Sequence, residues 1–117
     1  MTLTIVVPAY NEATRLGRSL PVLLNHLQAR PEACRVVVVD DGSTDGTADA
    51  VRALMPAHSE LDLLSLARQQ GKGGAVRAGM LASQSDVVGF MDADLSTSLD
   101  HIDQAVTELE RGADVVI

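Results

Sequence analysis

The sequence predicts an α/β fold with a mainly parallel sheet. Five short segments rich in valine, isoleucine and leucine alternate with segments in which apolar residues recur at helical spacing. The strand-like segments are nearly continuous apolar runs, which is typical of parallel strands buried on both faces. The alternation favours a parallel sheet with helices on both faces and right-handed crossovers. We expect ligands to bind at the carboxyl ends of the strands, at the point where the strand order reverses. If the order is 3-2-1-4-5, the first and fourth strands flank that crevice.

Each predicted strand is bounded by a turn or by polar residues. The five segments are Leu3–Val7, Arg35–Val39, Leu61–Leu66, Val87–Met91 and Ala113–Ile117. The chain stops at Ile117, just inside its fifth strand, so we expect a fold that is truncated there. Residues 1–117 are expected to form a single domain that is part of a longer protein.

Four helices are predicted between the strands. In the first, leucines recur from Leu16 to Leu27, but Pro21 fits only the first turn of a helix. We therefore expect this helix to be capped near Ser19, with a looser turn before it.

The second helix follows Gly46 and ends at Pro56. Residues 67–74 are expected to form a loop, with a third helix carrying Ala75 and Gly79, whose small side chains indicate close packing on the sheet. Thr97 or Ser98 would cap the fourth helix.

Composition excludes several classes of protein. The chain has 117 residues, of which 46% are hydrophobic, so a real core is expected and disorder is not. Its formal net charge of −7 argues against nonspecific nucleic-acid binding, which needs a basic surface. The single cysteine, Cys34, cannot form a disulfide framework. No signal peptide or membrane span is predicted, so we expect a cytoplasmic protein that is soluble or at most peripheral to a membrane.

Two aspartates follow the fourth strand, one residue apart. Alternate residues of an extended segment point to the same side, so Asp92 and Asp94 can converge on one point. Two neighbouring carboxylates repel each other unless a positive charge lies between them, and Mg²⁺ or Mn²⁺ shared with a substrate phosphate suits such a pair. The alternatives are two solvated loop acids, or a phosphatase whose nucleophile is Asp92.

Polar turns also follow the first two strands. In Pro8–Glu12, Tyr10 lies at a strand end where it could stack on a base, although the segment could be only a turn and a helix start. Asp40–Gly46 is rich in turn-forming residues, and Asp41 could accept hydrogen bonds from a base or a ribose. A calcium-binding loop of the EF-hand type is rejected because Arg52 stands where that loop requires glutamate.

A glycine-rich segment, Gly71–Gly74, opens the third helix. Glycines let backbone amides approach an anion, and a helix N-terminus favours negative charge. Lys72 and Arg68 add positive charge. Neither a phosphate-binding P-loop nor a dinucleotide fingerprint is present, and the alternative is a flexible surface turn.

Three motifs together resemble one enzyme family. The segments Val6–Glu12, Val38–Thr47 and Met91–Asp94 resemble, in order and spacing, the family-2 glycosyltransferases of the Rossmann-like GT-A fold. Within that family, Arg68–Ala82 and Asp92–Thr97 are most similar to dolichyl-phosphate β-glucosyltransferases and other polyprenyl-phosphate glycosyltransferases. The resemblance covers essentially the whole chain and identifies it as the donor-binding half of such an enzyme.

The resemblance implies roles for individual residues. Asp94 would be the main metal ligand, joined by Asp92 and more weakly by Ser96, so that both aspartates act in catalysis through the metal. The mannosyltransferases of the family have a glutamine where Ser96 stands. The nucleotide-sugar donor would be bound by residues from all three motifs and the glycine-rich segment, namely Pro8, Ala9, Tyr10, Glu12, Val39, Asp41, Gly42, Lys72, Asp92 and Ala93.

The implied activity is metal-dependent, inverting transfer of a sugar to a polyprenyl or dolichyl phosphate. UDP-glucose is the expected donor and Mg²⁺ or Mn²⁺ the expected cofactor. The alternatives are a fragment that binds nucleotide-sugar without catalysis, or a mannosyltransferase that uses GDP-mannose. The enzyme would act at the cytoplasmic face of a membrane. The open sheet edge at the fifth strand makes a homodimer a further expectation.

Overall fold

Four parallel strands form one sheet in the described part of the chain. The structure is a computed structural model that describes residues 2–94 and 99–112. The strands are β1 (Thr2–Ala9), β2 (Ala33–Asp40), β3 (Leu61–Ser65) and β4 (Val87–Phe90), in the order β3-β2-β1-β4. All pairings are parallel, which confirms the predicted parallel sheet, and the order agrees with the first four strands of 3-2-1-4-5. The predicted fifth strand, Ala113–Ile117, lies outside the described residues.

Helices cover both faces of this sheet. They are α1 (Ala13–Gln28), α2 (Thr47–Leu54), α3 (Gly71–Ala82) and α4 (Leu99–Glu110), with a 3₁₀ turn at Met55–Ala57 after α2. α1, α2 and α4 pack on one face, and α3 packs on the other. Within residues 2–94 and 99–112, no helix has the length and apolar character that crossing a membrane requires.

Leucines of α1 dominate the core on the first face. Five of them are at most 2% exposed, and they pack against β1, β2 and the inward sides of α2 and α4. Burying a side chain of this size stabilises the fold by about 1.5–3 kcal/mol. The five leucines are Leu16, Leu20, Leu23, Leu24 and Leu27.

On the second face, α3 approaches the sheet closely. Val6, Val39 and Ala75 form a small buried cluster there. A Cβ added to Gly79 would lie 2.5 Å from Val6 Cγ1 and 3.0 Å from Val39 Cγ2, closer than packed atoms tolerate. The small residues of α3 therefore bring the helix onto the sheet, as the sequence predicted.

The predicted start of the first helix, near Ser19, is wrong. α1 begins at Ala13 and continues through Pro21. Proline has no N–H to donate to the carbonyl of Gly17, so this turn of the helix is weaker. The leucine stripe on both sides of Pro21 is buried against the sheet, and this packing outweighs the lost bond.

β1 likewise continues past the predicted boundary at Val7 and includes Pro8. The Val6 carbonyl accepts a bond from the Met91 amide on the β4 side. Because backbone groups of alternate residues face the same neighbour, the Pro8 nitrogen also faces that side. β4 has already ended at Phe90, so no ladder bond is lost at Pro8.

α3 begins at Gly71, so the predicted loop over residues 67–74 extends too far. Gly71 has a φ of +85°, which glycine adopts without steric cost. The Asp41 carboxylate accepts the amides of Gln70 and Gly71, and these bonds fix the first turn of the helix. The predicted caps of the fourth helix, Thr97 and Ser98, lie outside the described residues.

Candidate functional site

A cavity of about 280 Å³ opens at the carboxyl edge of the sheet. Three segments that follow strands, together with the first turns of α1 and α3, form its wall. The lining residues are Pro8, Ala9, Tyr10, Glu12, Arg15, Asp41, Gln69, Gly71, Lys72, Ala75, Asp92, Ala93 and Asp94. The structure therefore brings the Pro8 turn and the aspartate pair to one cavity.

Two predicted site residues within the described part of the chain do not line the cavity. Val39 has no exposed surface and packs against Val6 and Ala75 beneath it. Gly42 lies beside the backbone of Arg68 and Gln69. Ser96 lies outside the described residues.

The two acids enter the cavity from a turn. The chain leaves β4 at Phe90, and Met91 adds one further bond to the carbonyl of Val6, 3.0 Å from N to O. The backbone then turns at Ala93 and Asp94. Asp92 and Asp94 therefore reach the same cavity through a turn. They do not lie on one side of an extended segment, as the sequence had suggested.

Lys72 places a positive charge beside these acids. Its Nζ lies 2.5 Å from Asp92 Oδ1 and 5.8 Å from the centroid of the Phe90 ring. The side chains of Lys72 and Asp92 are 57% and 45% exposed, so water screens their attraction. An ion pair as exposed as this is worth about 0–1 kcal/mol, and an anionic ligand can replace the aspartate at little cost.

Asp41 also lines the cavity but is almost fully buried, with 3% of its surface exposed. Its Oδ1 accepts from the amide of Gln70 at 2.7 Å and its Oδ2 from the amide of Gly71 at 2.9 Å. Negative charge at a helix N-terminus is favourable. This carboxylate therefore joins the end of β2 to the start of α3.

The loop between β1 and α1 is tied to the loop between β2 and α2. Asn11 has a φ of +51°, a left-handed conformation that asparagine tolerates better than most residues. Its Oδ1 accepts from the amides of Thr44 and Asp45, at 2.9 and 3.3 Å. The Glu12 amide donates to Thr47 Oγ1 at 2.9 Å. These bonds hold Tyr10 and Glu12 in the cavity wall.

Several residues of this wall were not predicted from the sequence. Arg15 lies one helical turn after Glu12, with Nη1 3.5 Å from Glu12 Oε2. The i, i+3 spacing of Glu12 and Arg15 in the sequence could have indicated that the two side chains lie on the same face of α1. Gln69 and Ala75 also line the cavity, and only the tertiary approach of α3 reveals them. Asn11, which ties the loops beside this wall without lining the cavity, was not singled out either, although asparagine after a strand is a turn signal.

The oxygen ligands that the cavity offers to a hard divalent cation form only part of a complete metal site. In residues 2–94 and 99–112, no group of three or more His, Cys, Asp or Glu side chains is arranged to hold a metal ion. Asp92 and Asp94 nevertheless offer two carboxylates to one cavity. Mg²⁺ sites commonly combine one or two protein carboxylates with water and substrate phosphates. The residues thus fit a cation that is held jointly with a phosphorylated ligand.

Comparison with known proteins identifies relatives over nearly the whole chain. The family model described as "Glycosyl transferase family 2" matches residues 4–117. A dolichyl-phosphate beta-glucosyltransferase of Trichomonas vaginalis is 38% identical over 86% of this chain and 32% of its own length. The undecaprenyl-phosphate 4-deoxy-4-formamido-L-arabinose transferase of Pseudomonas syringae is 39% identical over 97% of this chain and 34% of its own.

A solved structure supports the same relationship. The mannosyltransferase PcManGT from Pyrobaculum calidifontis, in complex with GDP-Man and Mn²⁺, superimposes with a TM-score of 0.76. It is 31% identical, and the match covers 97% of this chain and 33% of that protein. The predicted α/β fold of the GT-A type is confirmed by this neighbour and by the parallel sheet. The chain spans about a third of the length of the curated relatives it matches.

Proposed function

This chain belongs to glycosyl transferase family 2, and from that membership we propose that its cavity binds a nucleotide-diphospho-sugar. The proposed reaction transfers the sugar to a polyprenyl phosphate, with UDP-glucose as the donor. The observation that carries the proposal is the composition of the cavity wall. The wall combines Tyr10 from the segment after β1, Lys72 from the first turn of α3, and Asp92 and Asp94 from the segment after β4.

The charges in this wall suit a diphosphate that accepts negative charge as it leaves. Lys72 and Arg15 supply the cations that line the cavity. As the bond between the anomeric carbon and the diphosphate oxygen breaks, the electron pair stays with that oxygen. The ammonium group of Lys72 can exchange its contact with Asp92 for one with the departing phosphate, where the charge develops.

Mg²⁺ or Mn²⁺ is the proposed cofactor. Asp94 and Asp92 would hold the ion together with oxygens of the donor, and Ser96 is a weaker candidate ligand. When bound, the cation neutralises negative charge on the diphosphate. The neighbour from Pyrobaculum calidifontis, solved with GDP-Man and Mn²⁺, supports this choice of metal.

Relatives support a polyprenyl phosphate as the acceptor. Their names specify dolichyl phosphate in one case and undecaprenyl phosphate in another. Such a phosphate is already anionic near neutral pH, so it needs positioning rather than a general base. In-line attack of its oxygen on the anomeric carbon would invert the configuration at that carbon.

GDP-mannose is the second candidate donor, because the solved neighbour bound to GDP-Man is 31% identical to this chain. We further propose that residues 1–117 form one nucleotide-sugar-binding domain. The cytoplasmic location, the peripheral contact with a membrane, the absence of nucleic-acid binding and the homodimer stay predictions.

Transfer of a radiolabelled sugar tests the proposal directly. The chain is incubated with Mn²⁺, a short polyprenyl phosphate and labelled UDP-glucose or GDP-mannose, and binding is measured in parallel by equilibrium dialysis. We expect donor binding together with a labelled lipid product, with UDP-glucose preferred over GDP-mannose. Asp49→Asn, which removes an exposed acid from α2, should behave as wild type.

Two other outcomes would change the proposed function. Donor binding without transfer would identify the chain as a donor-binding fragment. Absence of binding to both donors would contradict the proposed function.

A further inference from the structure

We propose that Lys72 links the uptake of the divalent cation to the uptake of the diphosphate. Before a donor binds, its ammonium group holds Asp92 and weakens the binding of a cation. A diphosphate then draws the ammonium away from that carboxylate and releases it for the metal. This inference rests on the proposed function, since it concerns how the same cavity takes up its two ligands.

The first observation is the ion pair between Lys72 and Asp92. Nζ lies 2.5 Å from Oδ1, and Asp92 is one of the two carboxylates that the segment after β4 brings to the cavity. Mg²⁺ lies about 2.0–2.1 Å from the oxygens that bind it. A cation on either oxygen of Asp92 would therefore come within a few ångströms of the ammonium, and the two positive charges would repel each other. The ammonium and the metal thus compete for Asp92 even when they take different oxygens.

The second observation is the small number of protein ligands at this place. Among the residues that the structure describes, no three His, Cys, Asp or Glu side chains are arranged to hold a metal ion. A cation at Asp92 and Asp94 must therefore take further ligands from water or from a phosphorylated ligand. Because the charge of the ligands sets the affinity for such a cation, a loss of negative charge at one of two carboxylates should weaken its binding measurably.

The third observation is that the Lys72 side chain can leave Asp92 at little cost. The two side chains are 57% and 45% exposed, and ion pairs as exposed as this contribute little to stability. Nζ also lies 5.8 Å from the centroid of the exposed Phe90 ring, and the attraction of a ring for a cation is weak at an exposed site. Neither contact holds the ammonium against a diphosphate, which carries more negative charge than one carboxylate.

These observations give Lys72 opposite effects on the two ligands. It opposes the metal when no nucleotide is present, and it attracts the diphosphate. By thermodynamic linkage, a ligand that moves the ammonium away from Asp92 strengthens metal binding, and the metal strengthens the binding of that ligand by the same factor. Direct bonds between metal and phosphate add to this coupling without involving Lys72, so a variant of Lys72 is needed to isolate its share.

The test measures the affinity for Mn²⁺ alone, from the electron paramagnetic resonance signal of the free ion, and the affinity for UDP at saturating Mn²⁺ by calorimetry. Lys72→Met introduces an unbranched side chain of similar size that carries no charge. We expect this variant to bind Mn²⁺ alone about tenfold more tightly than wild type, because the competing charge is gone. It should bind UDP about tenfold more weakly, as the loss of one charged hydrogen bond does.

Two further variants control for charge and for the side chain itself. Arg77→Met removes one positive charge from an exposed position of the same helix that does not line the cavity. Because water and salt screen that charge, Arg77→Met should change either affinity by less than about twofold. Lys72→Arg keeps the positive charge and should bind Mn²⁺ alone about as weakly as wild type.

An affinity for Mn²⁺ alone that is unchanged or weaker in Lys72→Met would overturn the inference, and so would an equal gain in Arg77→Met. A lysine that only shapes α3, or only contacts the donor, would not oppose the metal. If circular dichroism shows that Lys72→Met does not fold, Lys72→Ala is measured in its place, with the same expected changes.

The same data separate this inference from the proposed function. If wild type binds UDP with Mn²⁺ but Lys72→Met binds Mn²⁺ alone no more tightly, the inference fails and the proposed function stands. If wild type binds neither UDP nor GDP with Mn²⁺, the proposed function fails. Tighter binding of Mn²⁺ alone in Lys72→Met would then still support the competition at Asp92.

Discussion

Single residues in the cavity and in the loops beside it interact in pairs whose partners come from different segments. Lys72 on α3 contacts Asp92 after β4, and Asn11 after β1 contacts Thr44 and Asp45 after β2. The sequence predicted Lys72 and Asp92 as site residues, because glycines and a lysine opening a helix favour an anion. It could not predict their contact, which depends on how closely α3 approaches β4.

Asp45 gives a prediction about pH at this scale. The Thr47 hydroxyl, which donates to the Asp45 carboxylate, is the main reason that the pKa of Asp45 lies below its ordinary value, with backbone amides adding smaller effects. Because the folded-state pKa is the lower one, the stabilisation is fully present above the unfolded-state pKa. It is lost as the pH falls through the folded-state pKa.

We therefore expect Asp45→Asn to flatten the loss of stability in acid. Urea midpoints of wild type should fall more steeply than those of Asp45→Asn below about pH 4. Asp49→Asn, at a carboxylate that is 85% exposed, should follow wild type. Parallel curves for wild type and Asp45→Asn would show that folding does not lower the pKa of Asp45.

Among the elements, α3 connects the core with the cavity. Its first turn carries Lys72, and its middle packs Ala75 and Gly79 onto the second face of the sheet. The sequence predicted the type and approximate place of α3 and its close packing. The predicted start of α3 was wrong because the carboxylate that accepts its first amides belongs to Asp41, thirty positions earlier in the chain. The predicted start of α1 was also wrong because of tertiary packing: burial of the leucines outweighs the helix hydrogen bond that is lost at Pro21.

Gly79→Ala tests how α3 is seated. The added methyl would lie 2.5 Å from Val6 Cγ1, so we expect a loss of about 1–3 kcal/mol in the free energy of unfolding from overpacking. Gly73→Ala, where no atom outside the helix lies within 4 Å of the new Cβ, should be neutral or gain up to about 1 kcal/mol. Urea denaturation measures both changes. Equal stability of the two variants would contradict the close approach of α3 to Val6.

At the scale of the whole molecule, the strand order determines which segments meet. β1 lies between β2 and β4, so the segments after these three strands share one edge and enclose one cavity. The sequence could predict this arrangement because valine-rich strands alternating with helices allow few topologies. The buried state of Val39 and the bonds from the start of α3 to Asp41 could not be predicted, because both depend on how α3 covers the sheet.

The most direct measurement is calorimetric titration of UDP with and without Mn²⁺, in wild type and in Asp94→Ala. Circular dichroism would check that the variant remains folded. We predict that wild type binds UDP only when Mn²⁺ is present and that Asp94→Ala, although folded, does not bind it. An unchanged UDP affinity in Asp94→Ala, or wild-type binding that ignores the metal, would contradict the role of this cavity as a metal-assisted diphosphate site.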